Sequence, residues 1–367
     1  MISKMKLEIP DYLSAIKPYV PGKPIEEVQR EYGIENSIKL ASNENPFGPS
    51  PMAVAAIQQI LGNLHRYPDA GGYALTHSIA DKYHIEPGNI VLGNGSDNII
   101  ALLAAVLLNP ADEVILAQPS FLFYEISIRG AGALPIWVPL RSFKTDLAGI
   151  IRKINPKTRM IFLNVPHNPT GTIIDKPDFE SFIAEIPPQI VVVLDEAYIE
   201  FVTDSNCVNS LDYLKTDKAV VGMRTFSKAF GLAGLRVGYG VMPEILAGLL
   251  HRVRQPFNVN TLAQVAAAAA LGDTVFLKRT LDLVHDELEF IYAALDKLGM
   301  PYIRSQANFL MIDIGKEQTA DEVTDKLLRQ GVIVRSLTAY GYPQYIRVTV
   351  GKHEENIRFL EALEKVI

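Results

Sequence analysis

The sequence predicts an α/β protein: a mostly parallel sheet between helices, followed by a smaller α+β unit. Three observations lead there. Short apolar runs alternate with helix-length segments through the first two thirds of the chain. One run, 190–194, is apolar at every position, the mark of a strand buried on both faces. Beyond Gln255-Pro-Phe-Asn258 helices and strands follow in a different order, which reads as a second module.

The 367 residues are 48% hydrophobic and 21% charged, enough apolar material for a large core. A net charge of −6 argues against a nucleic-acid or anionic-membrane partner. Cys207 is the only cysteine, and the seven histidines lack paired spacing, so neither a disulfide framework nor a metal site is expected. Residues 1–10 carry no apolar leader core and the longest apolar run is too short to span a bilayer. A soluble cytoplasmic protein is expected.

Residues 1–44 read as an arm. Pro10, Pro18, Pro21 and Pro24 exclude a long helix, although 25–32 can form a short one. Tyr19 sits in a turn of the arm. A loop dense in Asn, Pro and Gly follows at 40–49, then a helix at 52–61 with Met52, Ala56 and Ile60 on one face. His65-Arg66-Tyr67-Pro68-Asp69 is a polar loop before a helix at 74–83 and a strand at 90–92.

Gly93-Asn94-Gly95-Ser96-Asp97 then opens an apolar helix over 98–108. Strand, glycine turn and helix N-terminus together suit a phosphate, because free backbone N–H groups point at the anion. The turn lacks the third glycine of a dinucleotide fingerprint, since Asn98 stands in its place. Strands are expected at 113–117, 134–138, 160–164, 190–194 and 219–222, with helices at 121–129, 147–154 and 179–186 between them.

The second unit reads as helices over 261–271, 280–298, 320–330 and 354–366, with strands at 309–312, 332–335 and 345–350. Five alanines at 266–270 suit close helix packing. The chain thus divides into an arm (1–44), a large domain (45–257) and a small domain (258–367).

The chemistry gathers where strands end. Ser227-Lys228-Ala-Phe-Gly-Leu-Ala-Gly-Leu-Arg236 holds one lysine among small and apolar residues. A lone lysine beside a turn usually snorkels to solvent; a desolvated one has a lowered pKa and acts as a nucleophile. Asp195 follows the all-apolar strand, with Tyr198 three positions on. Asn168 opens an Asn-Pro-Thr-Gly turn after the strand at 160–164. In a parallel sheet these three fall on the rim where ligands bind.

One ligand uses all of these groups: pyridoxal 5′-phosphate. Its aldehyde needs a lysine, its ring nitrogen a carboxylate, and its ring oxygen hydrogen-bond donors. Its phosphate needs a helix N-terminus, hydroxyls and a guanidinium.

On these motifs, together with Lys17-Pro-Tyr-Val-Pro-Gly-Lys-Pro24, Leu40-Ala-Ser-Asn-Glu-Asn-Pro-Phe-Gly-Pro49, Arg66-Tyr-Pro-Asp69 and Ile346-Arg-Val-Thr-Val-Gly351, the chain resembles the histidinol-phosphate aminotransferase family. These are fold-type I pyridoxal-phosphate enzymes, and the resemblance spans nearly the whole chain. It implies a large domain built on a mostly parallel seven-stranded sheet, plus a smaller α+β domain. Lys228 would carry the cofactor as a Schiff base. Asp195 would pair with the ring nitrogen, and Asn168 and Tyr198 with the ring oxygen. Ser96, Asp97, Asn98, Thr225, Ser227 and Arg236 would hold the phosphate end, and Phe121 would pack on the ring. Tyr67 would reach the phosphate from a partner subunit, which implies a homodimer.

Tyr19, Asn168, Arg335 and Arg347 would bind substrate. The arginines would clamp the phosphate of histidinol phosphate and the carboxylate of glutamate formed from 2-oxoglutarate. Three positions depart from the common pattern: Phe121 where tyrosine is frequent, Asn98 where glutamate is, and His167 where asparagine is. An aromatic-amino-acid aminotransferase and a threonine-phosphate decarboxylase share the scaffold and stay open as alternatives. The acidic charge and the intact Lys228 speak against a non-catalytic sensor, and a nicotinamide dehydrogenase would explain the glycine-rich turn but not the lysine–arginine stretch.

Overall fold

Seven strands form the central sheet, in the spatial order Ile90–Gly93, Gly238–Val241, Val220–Thr225, Val191–Asp195, Thr158–Asn164, Glu113–Gln118, Leu134–Pro139. The computed structural model describes residues 9–14, 16, 18 and 25–367. All neighbours in the sheet run parallel except Gly238–Val241, which is antiparallel to both its partners. The sheet is therefore mostly parallel, as expected. Its middle strands read Val, Ile and Leu in succession because both faces are covered.

The antiparallel strand Gly238–Val241 and the helix after it, Glu244–Val253, do not emerge from the sequence reading. Two glycines in Gly-Tyr-Gly-Val dilute the strand signal, and here glycine is a packing necessity. A Cβ on Gly238 would lie 2.7 Å from the Ser96 backbone nitrogen and 2.8 Å from the Arg224 carbonyl oxygen.

A second sheet of four antiparallel strands contains Arg335–Ser336, Tyr345–Thr349, Phe309–Asp313 and Tyr302–Ile303, in that order. The single strand expected at 332–335 is two strands. Val332–Ile333 pairs in parallel with Ile38–Lys39, and Arg335–Ser336 pairs with Tyr345–Thr349. The chain changes partner at Val334, which no local pattern records. The helix expected over 147–154 ends at Ile151.

The alanine-rich helix Thr261–Gly272 buries Ala263, Ala266, Ala267 and Ala270 against the helices Pro51–Ile60 and Tyr73–Tyr83. Methyl-sized side chains let the backbones approach closely. Asn260 caps this helix and Asp273 caps the next, Thr274–Leu298, each accepting from a backbone N–H in the first turn. Among the described residues, no helix is long and apolar enough to cross a membrane, and no group of His, Cys, Asp and Glu could hold a metal ion.

Candidate active site

Asn164 and Asp195 end neighbouring strands in register, and Thr225 ends the next one. Above this rim lies a cavity of about 520 Å³. Ser96, Asp97, Thr225, Ser227 and Arg236 line one end of it. Phe121, Asn168, Asp195, Tyr198 and Lys228 line the rest. An adjoining cavity of about 110 Å³ shares Phe121, Asn168, Tyr198 and Lys228 and adds Arg335, Tyr340 and Arg347.

At the first end, the helix Ser96–Leu107 starts at the cavity wall. Its first N–H groups precede the turn of helix that could accept them, so they suit an anion. Gly95 has φ 77°, and a Cβ there would collide with the Arg236 guanidinium. Glycine is thus required by backbone and contact alike. Arg236 donates to Asp97 Oδ2 at 3.0 Å and to Ser227 Oγ at 3.4 Å. Thr225 Oγ1 accepts from the Ser227 backbone N–H at 3.1 Å. Burial pushes the Asp97 carboxyl upward, against the pull of Arg236.

Asp195, also on the cavity wall, is buried and accepts from the Tyr124 hydroxyl and, at 3.2 Å, from the Ala197 backbone N–H. The direction of the tyrosine bond is fixed by its neighbours. Asn164 Oδ1 accepts from the Asn168 backbone N–H at 2.5 Å, so Asn164 Nδ2 faces Tyr124 Oη, at 2.9 Å. Tyr124 must then donate to the carboxylate. Burial raises Asp195 to about 6, with these hydrogen bonds opposing the rise. It is ionised at neutral pH and can face a cation. One residue along, Glu196 points to the other face and pairs with Arg224 at 2.8 Å inside the protein.

Asn168 joins Tyr198 to Arg347 on the wall shared by the two cavities. Arg347 Nη1 donates to Asn168 Oδ1 at 2.6 Å and Nη2 to the Ala41 carbonyl at 2.7 Å. Its Nε is buried and has no hydrogen-bond partner among the described residues. Arginine only donates, so Asn168 turns its amide nitrogen to Tyr198 Oη, at 3.3 Å. Arg335 and Arg347 stand opposite each other in the antiparallel pair and share a sheet face.

Lys228 Nζ donates to the Ser42 carbonyl at 3.1 Å. Burial, with the Arg347 charge nearby, lowers the amine to about 8. The Gly231 backbone that follows lies against the Gly48 carbonyl, leaving no room for a side chain, whereas a Cβ at Gly234 would meet nothing.

The donor set fits pyridoxal 5′-phosphate. A desolvated lysine, a buried carboxylate, paired amide and phenol groups, and a glycine cradle beside a guanidinium surround one cavity of suitable size. Two of the expected residues, Asn98 and Tyr67, do not line this chain's cavity. The Asn98 side chain lies off the cavity and accepts from Asn258 Nδ2 at 2.8 Å, while its backbone N–H donates to Gly95 at 3.3 Å. Tyr67 is 81% exposed and stacks on Phe257 at 4.5 Å, outside this chain's cavity. Tyr19 lies outside the described residues. Sequence reasoning missed Asn43, Asn164 and the Tyr124–Asp195 bond, all of which depend on contacts between distant segments.

Fold and site together define an aminotransferase architecture, and the comparisons agree. The family model "Aminotransferase class I and II" matches residues 35–363. The histidinol-phosphate aminotransferase of Moorella thermoacetica is 46% identical over 96% of this chain and 91% of its own length. That of Desulfotalea psychrophila is 46% identical over 98% of this chain and 95% of its own. A crystal structure of histidinol-phosphate aminotransferase from Sinorhizobium meliloti in complex with pyridoxal-5′-phosphate superposes with a TM-score of 0.91. Its identity is 25%, covering 99% of this chain and 98% of that one. The chain belongs to the histidinol-phosphate aminotransferase family.

Proposed function

We propose that the chain, as a cytoplasmic homodimer, transfers the amino group of L-histidinol phosphate to 2-oxoglutarate, giving imidazole-acetol phosphate and glutamate. Pyridoxal 5′-phosphate, when bound, supplies an aldehyde to take up the amino group and a ring to spread the electrons left at the substrate carbon. Lys228 attaches that aldehyde and then, freed, moves the proton released from the substrate carbon. An amine near 8 suits both tasks at neutral to mildly alkaline pH. Asp195 holds the proton of the ring nitrogen, and Asn168 and the Tyr198 hydroxyl hold the ring oxygen. Ser96, Asp97, Thr225, Ser227 and Arg236 hold the phosphate, and Phe121 offers a flat apolar face.

The observation that carries the substrate reading is the placement of Arg335 and Arg347 in one cavity with Lys228. Two guanidinium groups near the nucleophile suit a phosphorylated amine and a dicarboxylic oxo acid in turn. The relatives' names support the same reading. The homodimer is supported by Tyr67, Leu61, Leu64 and Phe257, apolar side chains left exposed on one subunit. The division into arm, large and small domains is kept as 1–44, 45–257 and 258–367. The helix Thr261–Gly272 then packs back on the large domain.

Half-reaction rates with histidinol phosphate, phenylalanine and threonine phosphate test the substrate. The proposal expects histidinol phosphate to react fastest by kcat/KM. Faster reaction of phenylalanine would assign an aromatic aminotransferase, and release of carbon dioxide from threonine phosphate a decarboxylase.

A further inference from the structure

Asn43 is buried at the meeting point of three segments, and each of its polar groups is engaged. Its backbone N–H donates to Thr349 Oγ1 at 2.9 Å. Its carbonyl accepts from Asn308 Nδ2 at 3.1 Å. Its side-chain oxygen accepts from Thr349 Oγ1 at 3.0 Å, and its side-chain nitrogen donates to Tyr198 Oη at 2.9 Å.

These hydrogen bonds run in one direction, from Thr349 through Asn43 to Tyr198. The threonine hydroxyl accepts the Asn43 backbone N–H and gives its own hydrogen to the Asn43 side-chain oxygen, which uses both its acceptor and its donor capacity. The asparagine nitrogen therefore faces Tyr198. Asn168, oriented by Arg347, turns its nitrogen to the same phenol oxygen. Two amides donating to one phenol oxygen leave the phenol's hydrogen as its only remaining group. Both cavities are lined by Tyr198, and both of its amide partners are accounted for.

We propose that Asn43 is a positioning residue that makes Tyr198 an obligate hydrogen-bond donor into the cavity. The direction is imposed by Thr349 of the four-stranded sheet. A donor held this way stabilises an anionic oxygen on the ligand and rejects a second donor. The inference rests on the reading of the cavity as a pyridoxal-phosphate site and of Tyr198 as the partner of the ring oxygen. Burial holds the phenol protonated, pushed up to about 12, which agrees with the donor role.

The test is a pH titration of the holoenzyme's visible absorbance, a readout independent of turnover. Asn43 has φ 56°, so Asn43→Gly keeps the backbone while removing the amide. Asn43→Asp keeps the shape but replaces the donor by an acceptor that draws the phenol hydrogen away. A donor to the ring oxygen competes with the adjacent imine proton for that oxygen, so losing the donor raises the titration midpoint. Tyr198→Phe should raise it by about 1 pH unit, the scale of one hydrogen bond to an ionised group.

Asn43→Gly should move the midpoint in the same direction by less, and Asn43→Asp by nearly as much as Tyr198→Phe. Adding Asn43→Gly to Tyr198→Phe should give no further shift. A wild-type midpoint in both Asn43 variants, with only a lowered melting temperature, would reduce Asn43 to a structural residue and overturn the proposal. So would shifts that add in the double variant. If Tyr198→Phe leaves the midpoint unchanged while the band persists, the underlying reading of Tyr198 fails instead. If no visible band forms in cofactor-supplied wild type, the cofactor reading itself fails.

Discussion

Arg347 and Asn168 lie 179 residues apart and share a 2.6 Å hydrogen bond, guanidinium to side-chain amide oxygen. One strand of the four-stranded sheet thereby orients a turn at the rim of the seven-stranded sheet. Replacing Arg347 with Lys keeps a charge but not two nitrogens aimed at Asn168 and Ala41. Losing a charged hydrogen bond costs about 1.5–3 kcal/mol. Arg347→Lys should lower kcat/KM roughly tenfold to a hundredfold for both the amine and the oxo acid, mostly through KM. Steady-state kinetics in both directions will show it; a loss confined to one substrate would contradict a shared clamp.

The amine of Lys228 gives a pH prediction. Only the neutral form attacks an aldehyde, so attachment of cofactor to the apo protein should quicken as pH rises and level off above about 8. Burial and the Arg347 charge both hold the amine below its ordinary value. Arg347→Gln removes the second cause, so its midpoint should move up. Stopped-flow mixing of apo protein with cofactor across roughly pH 6–11, a range that brackets the lysine reference of about 10.4, gives the profile. A midpoint that moved down would contradict the assigned repulsion.

Tyr124 and Asp195 supply a third prediction. The phenol donates to the carboxylate and so opposes the rise caused by burial. Tyr124→Phe should push Asp195 above about 6, and its ionised fraction at neutral pH should fall. The acid limb of kcat/KM should therefore shift to higher pH, with little change on the alkaline side. In cofactor-free protein the folded carboxyl titrates above its unfolded value. Its contribution to stability is thus greatest at low pH and is lost as pH rises through about 6. Urea melts of apo wild type and Tyr124→Phe at several pH values test the sign.

The exposed Tyr67 leads to a mixing experiment. If it completes the partner's site, Tyr67→Ala and Lys228→Ala homodimers should each be weak or inactive. Heterodimers formed by co-refolding contain one site with both native residues. Activity should recover toward a quarter of wild type in an equal mixture (about one half of the dimers are mixed, each with one whole site). No recovery, with mixed dimers verified by mass, would place Tyr67 in its own subunit's chemistry.

Much of the site could be read because its residues sit in short motifs directly beyond apolar strands. Lys228, Asp195, Asn168 and the turn at Gly95 are of this kind. Asn43 was hidden because its partners are distant: Thr349 lies 306 positions away. Asn164 and Tyr124 act on Asp195 only once two strands and a helix pack together. The strand Gly238–Val241 was masked by its own glycines, and the break at Val334 by a change of pairing partner. His167 shows the same limit. It is buried, held near 4 by burial, donates from Nε2 to the Pro119 carbonyl and accepts from Thr170. It ties the Asn168 turn to the loop before Phe121, a role no motif announces.

The most direct test of the account is to find which residue carries the cofactor. The holoenzyme is treated with borohydride, digested, and mapped by mass spectrometry for a pyridoxyl adduct. The account predicts one adduct, on the peptide containing Lys228, absent from Lys228→Ala. An adduct on a different lysine, or none in protein that has bound the cofactor, would contradict it.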